Sequence, residues 1–288
     1  MTPGQPPARR SFSELSLYAA CPLKYRYLRV DGKPEPAVAP DWSRAPRRVV
    51  EEEVPPAGVA SSLDRLLGTA VHAALARWQR AVDGGGSRRG ADLLDLARRE
   101  ARATGIAGAE LDQGIHRLEA GLRGYAEGPW PRQATLFLEQ TVRHVLTGAD
   151  GASVELHLRV DRVVRHRRAV AILDFKTVSP HALEMRADAW QLRTYALAAP
   201  EMLGMPSTAL RLVIVDLRAA EDREVPNDAA LLRVAASELL ACAAGIAAGE
   251  FDTSRGHDDR PCWSCGFRLE CPASLSPEPP RRPLPGAL

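Results

Sequence analysis

An α/β domain, with helices covering a mixed sheet, is the architecture this sequence predicts, and three observations predict it. A helix-patterned first half gives way to three consecutive β-type runs between Thr135 and Phe175. Those runs are followed by helix, buried strand and helix out to Ala248. Apolar residues make up 45% of the chain against 26% charged, the balance of a globular protein. At 288 residues there is room for one large core with an added segment. The 38 Lys+Arg against 36 Asp+Glu leave a formal charge of +2, which excludes an acidic disordered chain and a strongly cationic wrapper. No uninterrupted apolar run approaches the ~20 residues of a membrane span. Residues 1–10 have no apolar stretch behind their arginines, so the expectation is a cytoplasmic chain with no membrane partner.

Residues 1–10 lack any period and read as a disordered tail, as do the Pro-rich residues 273–288. Between them, residues 11–272 read as a single domain. Prolines between residues 34 and 60 exclude a regular helix or inner strand there and predict a long surface loop. Leu63, Leu66, Leu67, Val71, Leu75 and Trp78 recur at helical spacing, and the pattern stops at Asp83-Gly84-Gly85-Gly86. Two more helices follow, near Ala91–Thr104 and Ala109–Ala126, so residues 61–130 form a helical insertion. The core spans residues 131–250. Its strands are Thr135–Leu146, Val154–Val164 and Ala169–Phe175, the last two split by Arg165-His166-Arg167-Arg168 and so paired as an antiparallel hairpin. A helix near Ala187–Ala199, a strand over Leu210–Val215 and an Ala-rich helix from Asp228 to Ala248 complete it. Residues 251–272 form a closing segment.

Chemistry concentrates in two places. On the third strand Asp174 and Lys176 are two apart and share a face, while Phe175 points the other way. With the turn between Arg167 and Arg168, Asp161 falls opposite Asp174. Two opposed carboxylates repel, and their coexistence fits a bound divalent cation of the oxygen-preferring kind, Mg²⁺ or Mn²⁺. The residues alone fit equally well a surface ion pair with Asp161 solvated. Lys176 is one of only three lysines, in a chain whose basic residues are otherwise all arginine. A compact ammonium is not interchangeable with a planar guanidinium. The second place is Cys262-x-x-Cys265 followed by Cys271, with Cys21 far away near the N-terminus. Four thiolates close either a tetrahedral zinc site or a four-iron cluster. Cys242, in the Ala-rich helix, reads as a small buried residue.

Asp161 followed by Asp174-Phe175-Lys176 resembles the carboxylate and D-x-K elements of the PD-(D/E)xK nuclease superfamily, in particular its RecB-like exonuclease branch. Gly68-Thr69-Ala70-Val71-His72 is similar to that branch's G-x-x-x-H helix, and Gln191-Leu192-Arg193-Thr194-Tyr195 to its Q-x-x-x-Y helix. The one-plus-three cysteine pattern is similar to the members with an iron–sulfur cluster. One departure is Leu158, where the family often has Gly three residues before the Asp161 position.

The resemblance implies a restriction-endonuclease-like core, a helical N-terminal subdomain, and a 4Fe-4S cluster on Cys21, Cys262, Cys265 and Cys271 joining the chain ends, with structural Zn²⁺ as the alternative. It implies an exonuclease that hydrolyses phosphodiester bonds with Mg²⁺ or Mn²⁺, acting on single-stranded DNA or DNA ends in repair or recombination, nucleoid-associated, beside a helicase or repair partner. His72, Asp161 and Asp174 would be side-chain ligands and the Phe175 carbonyl a backbone ligand. Lys176 would orient the attacking water or stabilise developing charge. Gln191 and Tyr195 would hold Lys176 or the DNA backbone. Glu139, on the first strand, is a further carboxylate candidate. Arg162, Arg165, Arg167 and Arg168 around the hairpin suit phosphate contacts. The same fold used as a non-catalytic DNA-binding scaffold for a helicase is the alternative reading.

Overall fold

The computed structural model describes residues 7–36, 62–166, 169–177, 182–251, 262 and 265–272. They divide into two compact units, one formed by Met1–Val59, Val145–Leu156 and Ser237–Leu288, the other by Ala60–His144 and His157–Ala236.

In the first unit a short strand β1 (Ala8–Ser11) leads into helix α1 (Phe12–Ala20). The helix starts at Ser11 because Ser11 Oγ accepts from the Glu14 N–H at 3.2 Å, while the Glu14 carboxylate accepts from the Ser11 N–H at 2.9 Å. Cys21 ends α1 in an extended conformation and Pro22 opens α2 (Pro22–Tyr25), where a missing N–H costs nothing. The expectation of a tail over residues 1–10 therefore fails at its end. Ala8–Ser11 is strand, and Arg9 Nε lies 3.3 Å from Glu155 in β3. Tyr18 and Tyr25 are buried, Tyr25 stacks on Phe251, and Tyr18 Oη donates to the Glu250 carbonyl at 2.7 Å.

The second unit begins with three helices, α3 (Ser62–Asp83), α4 (Gly90–Ala103) and α5 (Gly108–Glu127). Strands β2 (Ala134–Thr147), β3 (Ser153–His166) and β4 (Ala169–Lys176) follow. Helices α6 (Ala182–Leu197) and α7 (Ala199–Leu203) then cross over to β5 (Leu210–Asp216), β6 (Glu221–Val225) follows, and α8 (Ala229–Ala248) begins in this unit and passes into the first at Ser237. The six-stranded sheet is mixed, in the order β1-β3-β4-β5-β6, with β2 also paired to β3. The hairpin register sets His166 opposite Ala169 and Arg162 opposite Leu173, and β4 runs parallel to β5 with Asp174 beside Ile214.

The helices before the sheet share its core. Val71 and Leu75 of α3, Leu93 of α4 and Leu122 of α5 belong to one buried apolar cluster with Leu173 and Phe175 of β4 and Val213 of β5. Burial of such side chains stabilises by roughly 1.5–3 kcal/mol each. Gly121 is the tightest point of that packing, since a Cβ there would stand 1.9 Å from the Leu217 carbonyl oxygen. Helix α8 is the Ala-rich helix that the sequence predicts. By length and composition it is apolar enough to cross a membrane, although Arg233 and Glu238 lie within it. Leu232, Leu239 and Cys242 are buried there, and Arg233 is exposed.

Candidate active site

The β3–β4 hairpin creates the site. One step beyond the Arg162–Leu173 pair, Asp161 and Asp174 meet on one face, both buried. Asp161 Oδ2 accepts the Phe175 backbone N–H at 2.9 Å, which fixes that carboxylate across the two strands. Phe175 itself turns away into the apolar cluster, edge-on to the Tyr125 ring at 5.1 Å. Helix α3 brings in His72, whose Nδ1 lies 3.4 Å from Asp161 Oδ1 and 3.9 Å from Glu139 Oε1. Gly68 explains how the helix comes so close. A Cβ there would be 3.1 Å from Thr177 Oγ1, so the G-x-x-x-H spacing places the smallest residue against the end of β4 and His72 one turn further on.

Glu139 is held in a left-handed backbone conformation, φ 52°, within β2. A non-glycine residue there is strained and such outliers gather at functional sites. Donor atoms of His72, Glu139 and Asp161 all lie within 4.8 Å of one another, the arrangement a divalent cation needs.

The other half of the site surrounds Lys176. Its Nζ is 2.8 Å from Asp174 Oδ2, 2.9 Å from Gln191 Oε1 and 3.0 Å from Asp188 Oδ1. The Asp174 contact is an ion pair with a buried carboxylate. Gln191 Nε2 donates to the Tyr195 oxygen one helical turn on, so Tyr195 orients Gln191 and Gln191 holds Lys176.

These contacts set the charges. Burial alone would push the His72 imidazolium down, but the Asp161 charge, hydrogen bonds to Asp161 and Glu139, and Asp174 together raise it to about 10. Burial pushes the Asp174 carboxyl up to about 6 despite Lys176, and the neighbouring Asp161 adds to the rise. Burial would also raise Asp161, yet His72, the Phe175 N–H and Lys176 hold it below the usual carboxylate range. Lys176 is held above its ordinary value because its two carboxylate partners outweigh burial. Burial and the nearby carboxylates raise the Tyr195 phenol as well.

The structure thus brings His72, Glu139, Asp161, Asp174, Lys176, Gln191 and Tyr195 together. Of the hairpin arginines, Arg162 and Arg165 do not share a surface. Arg162 is fully buried, donating to Tyr125 Oη, Thr135 Oγ1 and the Trp130 and Gln133 carbonyls, so its expected phosphate contact is corrected to an internal one. Arg165 is exposed, and Arg167 and Arg168 lie outside the described residues. Two residues near the site escaped the sequence reading. Asp188 sits three before Gln191 on α6, a spacing that signals a shared face. Arg159 sits two before Asp161 on β3, and its Nε is 2.7 Å from Glu139 Oε2 while its side chain is 72% exposed.

In the first unit Cys21 Sγ accepts the Lys24 backbone N–H at 3.4 Å. Lys24 Nζ pairs with Glu35 at 2.6 Å, and the same Glu35 oxygen accepts the Gly266 N–H at 3.1 Å, next to Cys265. A Cβ on Gly266 would lie 2.2 Å from the Pro36 carbonyl oxygen, so the residue following Cys265 has to be glycine for the two segments to pass. Burial pushes the Cys265 thiol up, while Lys24 and the Phe267 N–H oppose the rise. Tyr27 packs on Phe267 with ring centroids 5.0 Å apart, a second link between the Cys21 segment and the Cys265–Cys271 segment.

A sequence model of the PD-(D/E)XK nuclease superfamily matches residues 9–272. The chain belongs to that superfamily. The mixed sheet flanked by helices is that superfamily's fold. No protein of curated function matches the chain by sequence. Among solved structures, the crystal structure of SSO0001 is similar over 76% of this chain and 100% of that one, at 16% identity and a TM-score of 0.35.

Proposed function

We propose that this PD-(D/E)XK nuclease is a Mg²⁺- or Mn²⁺-dependent deoxyribonuclease of the RecB-like branch, an exonuclease on single-stranded DNA or DNA ends in repair or recombination. The observation that carries the reading is the convergence of His72, Glu139 and Asp161 donor atoms within 4.8 Å, beside the buried Asp174 and the Lys176 ammonium. The donor set fits a hard cation. It offers one imidazole and carboxylate oxygens, and two of those carboxylates are buried on one face where they repel in the cation's absence. His72, Asp161, Asp174 and Glu139 would hold the ion, with the Phe175 carbonyl beside them. When bound, the cation supplies Lewis-acid activation of water and neutralises charge on the phosphate.

The remaining work belongs to the chain's own side chains. Lys176 presents a fixed positive charge where negative charge develops on the phosphate, and Gln191 and Tyr195 fix its direction. Arg165 stands exposed at the hairpin end for phosphate contact, and a helicase or repair partner would deliver DNA ends to the site. We further propose a 4Fe-4S cluster on Cys21, Cys262, Cys265 and Cys271, inside a single nuclease domain over residues 11–272. Backbone N–H groups directed at the Cys21 and Cys265 sulfurs suit thiolate ligands, and one ligand far from three clustered ones is unlike paired zinc knuckles.

The test is cleavage of 5′- and 3′-labelled single- and double-stranded DNA by anaerobically purified protein with Mg²⁺ or Mn²⁺, beside Asp174→Ala and Lys176→Ala. Metal-dependent products that vanish in both variants support the nuclease, and the label pattern gives its polarity. Intact DNA with folded, metal-supplied protein refutes it. Iron and acid-labile sulfide that are present in the wild type and lost in Cys21→Ser support the cluster; zinc in their place refutes it.

A further inference from the structure

We propose that Asp188 is the positioning residue that keeps the Lys176 ammonium aimed at the reacting phosphate, an inference that rests on the nuclease reading above. Lys176 Nζ has three oxygen neighbours, two in ion pairs, Asp174 Oδ2 at 2.8 Å and Asp188 Oδ1 at 3.0 Å, and one that accepts its hydrogen bond, Gln191 Oε1 at 2.9 Å. The three partners are not equivalent. Asp174 belongs to the group that would hold the cation, so its hold on Lys176 is shared. Gln191 is neutral and takes its own orientation from Tyr195. Asp188 is the one carboxylate at the ammonium, among the described residues, that stands outside the ligand group.

Its surroundings give that contact weight. The Asp188 side chain is 12% exposed and that of Lys176 21%, so this is not a solvated surface pair of negligible strength. Asp188 and Gln191 lie one turn apart on α6, whereas Asp174 and Lys176 lie on β4, so Asp188 ties the ammonium to a second rigid element. Removing the Asp188 charge while keeping its shape leaves Lys176 with one shared anionic partner and otherwise neutral oxygens. A misplacement of about 1 Å in a catalytic group costs on the order of a hundredfold in rate.

The experiment compares wild type, Asp188→Asn and Asp188→Glu in full-length protein, by two independent readouts. The first is steady-state cleavage of a labelled DNA oligonucleotide with saturating Mg²⁺. The expected result is a kcat lower by about 10- to 100-fold in Asp188→Asn with KM for DNA nearly unchanged, and recovery of most of that loss in Asp188→Glu. The second is acylation by acetic anhydride in the absence of metal and DNA, read by peptide mass spectrometry. Lys24, Lys33 and Lys176 are the only lysines in this chain, each is resolved by peptide from the N-terminal amine, and the exposed Lys33 is the internal reference. Lys176 should be slow to react in wild type and in Asp188→Glu and several-fold faster in Asp188→Asn. A folded Asp188→Asn protein with wild-type kcat and wild-type Lys176 acylation overturns the inference. A wild type that never cleaves DNA, with Lys176 still released in Asp188→Asn, refutes the nuclease reading and leaves the role of Asp188 in holding the lysine standing.

Discussion

Replacing Arg162 by Met separates a buried structural cation from a DNA contact. The guanidinium is fully buried and donates to two hydroxyls, of Tyr125 and Thr135, and two carbonyls, of Trp130 and Gln133. Met keeps most of the stem volume and removes the donors. The hydroxyls can turn to new partners, but the two carbonyls are left without these donors, at roughly 1–3 kcal/mol each. Against this stands relief from burying a guanidinium with no carboxylate among those partners, which returns part of the loss. A net destabilisation of about 2–4 kcal/mol follows, which for a chain of this length lowers Tm by roughly 3–7 °C. Thermal unfolding by circular dichroism gives the Tm, and fluorescence anisotropy of a labelled oligonucleotide gives DNA affinity below the transition. Arg162→Met should lower Tm and leave affinity unchanged, while Arg165→Ala should do the reverse. An Arg162→Met protein with wild-type Tm and weakened DNA binding would refute the reasoning.

Other outcomes follow from the same contacts. With His72 raised to about 10 and Asp174 to about 6 in metal-free protein, binding of Mg²⁺ near pH 8 should expel close to one proton, so apparent affinity tightens about tenfold per pH unit between roughly pH 7 and 9. Calorimetry in buffers of different ionisation enthalpy counts the protons, and a count near zero would contradict the charge on His72. The folded-state value for His72 lies above its ordinary 6.5, so its contribution to metal-free stability is full below pH 6.5 and is lost as pH rises through about 10. Urea midpoints across that window should therefore fall with pH, and a flat profile would count against it. Gly121→Ala should leave the protein insoluble or shift its urea midpoint sharply down, because the added Cβ meets a backbone carbonyl at 1.9 Å; a wild-type midpoint would refute the close approach. Arg159→Ala frees Glu139 and should weaken metal affinity by about 10-fold, on the scale of other residues that orient metal ligands. Unchanged affinity in the same calorimetry would show that Glu139 needs no such support.

The hairpin and its carboxylates were legible because β3 and β4 are bounded by a charged turn, and a fixed turn sets the register from Asp161 to Asp174. Helix α3 was legible from its apolar spacing. What stayed hidden has physical reasons. In β3, Val160, Val163 and Val164 are buried on both sides of Arg162, so no alternation marks which way that arginine points. Strand β1 is four residues of Ala, Arg and Ser that gain their strand character from pairing with β3, which no local pattern shows. Strand β6 is nearly all charged, Glu221–Val225, and exists because its backbone completes the edge of β5. The left-handed turn of Glu139 and the lysine contact of Asp188 depend on tertiary placement, although the i, i+3 relation of Asp188 to Gln191 was there to be used.

The parallel pairing of β4 with β5 has a consequence for how the site assembles. Asp174, Lys176, Asp188, Gln191 and Tyr195 all come from one strand and the helix after it, so the environment of the ammonium is written into a short continuous stretch. His72, Glu139 and Asp161 come from three separated segments that meet only when α3 docks and β2 joins β3. A cation at that meeting point would act as a thermodynamic clasp on the docking of α3 and β2, leaving the lysine pocket to the sheet strand β4 and the helix after it. Chelation should therefore loosen α3 and β2 first in hydrogen exchange, with the β4–α6 stretch following only at global unfolding.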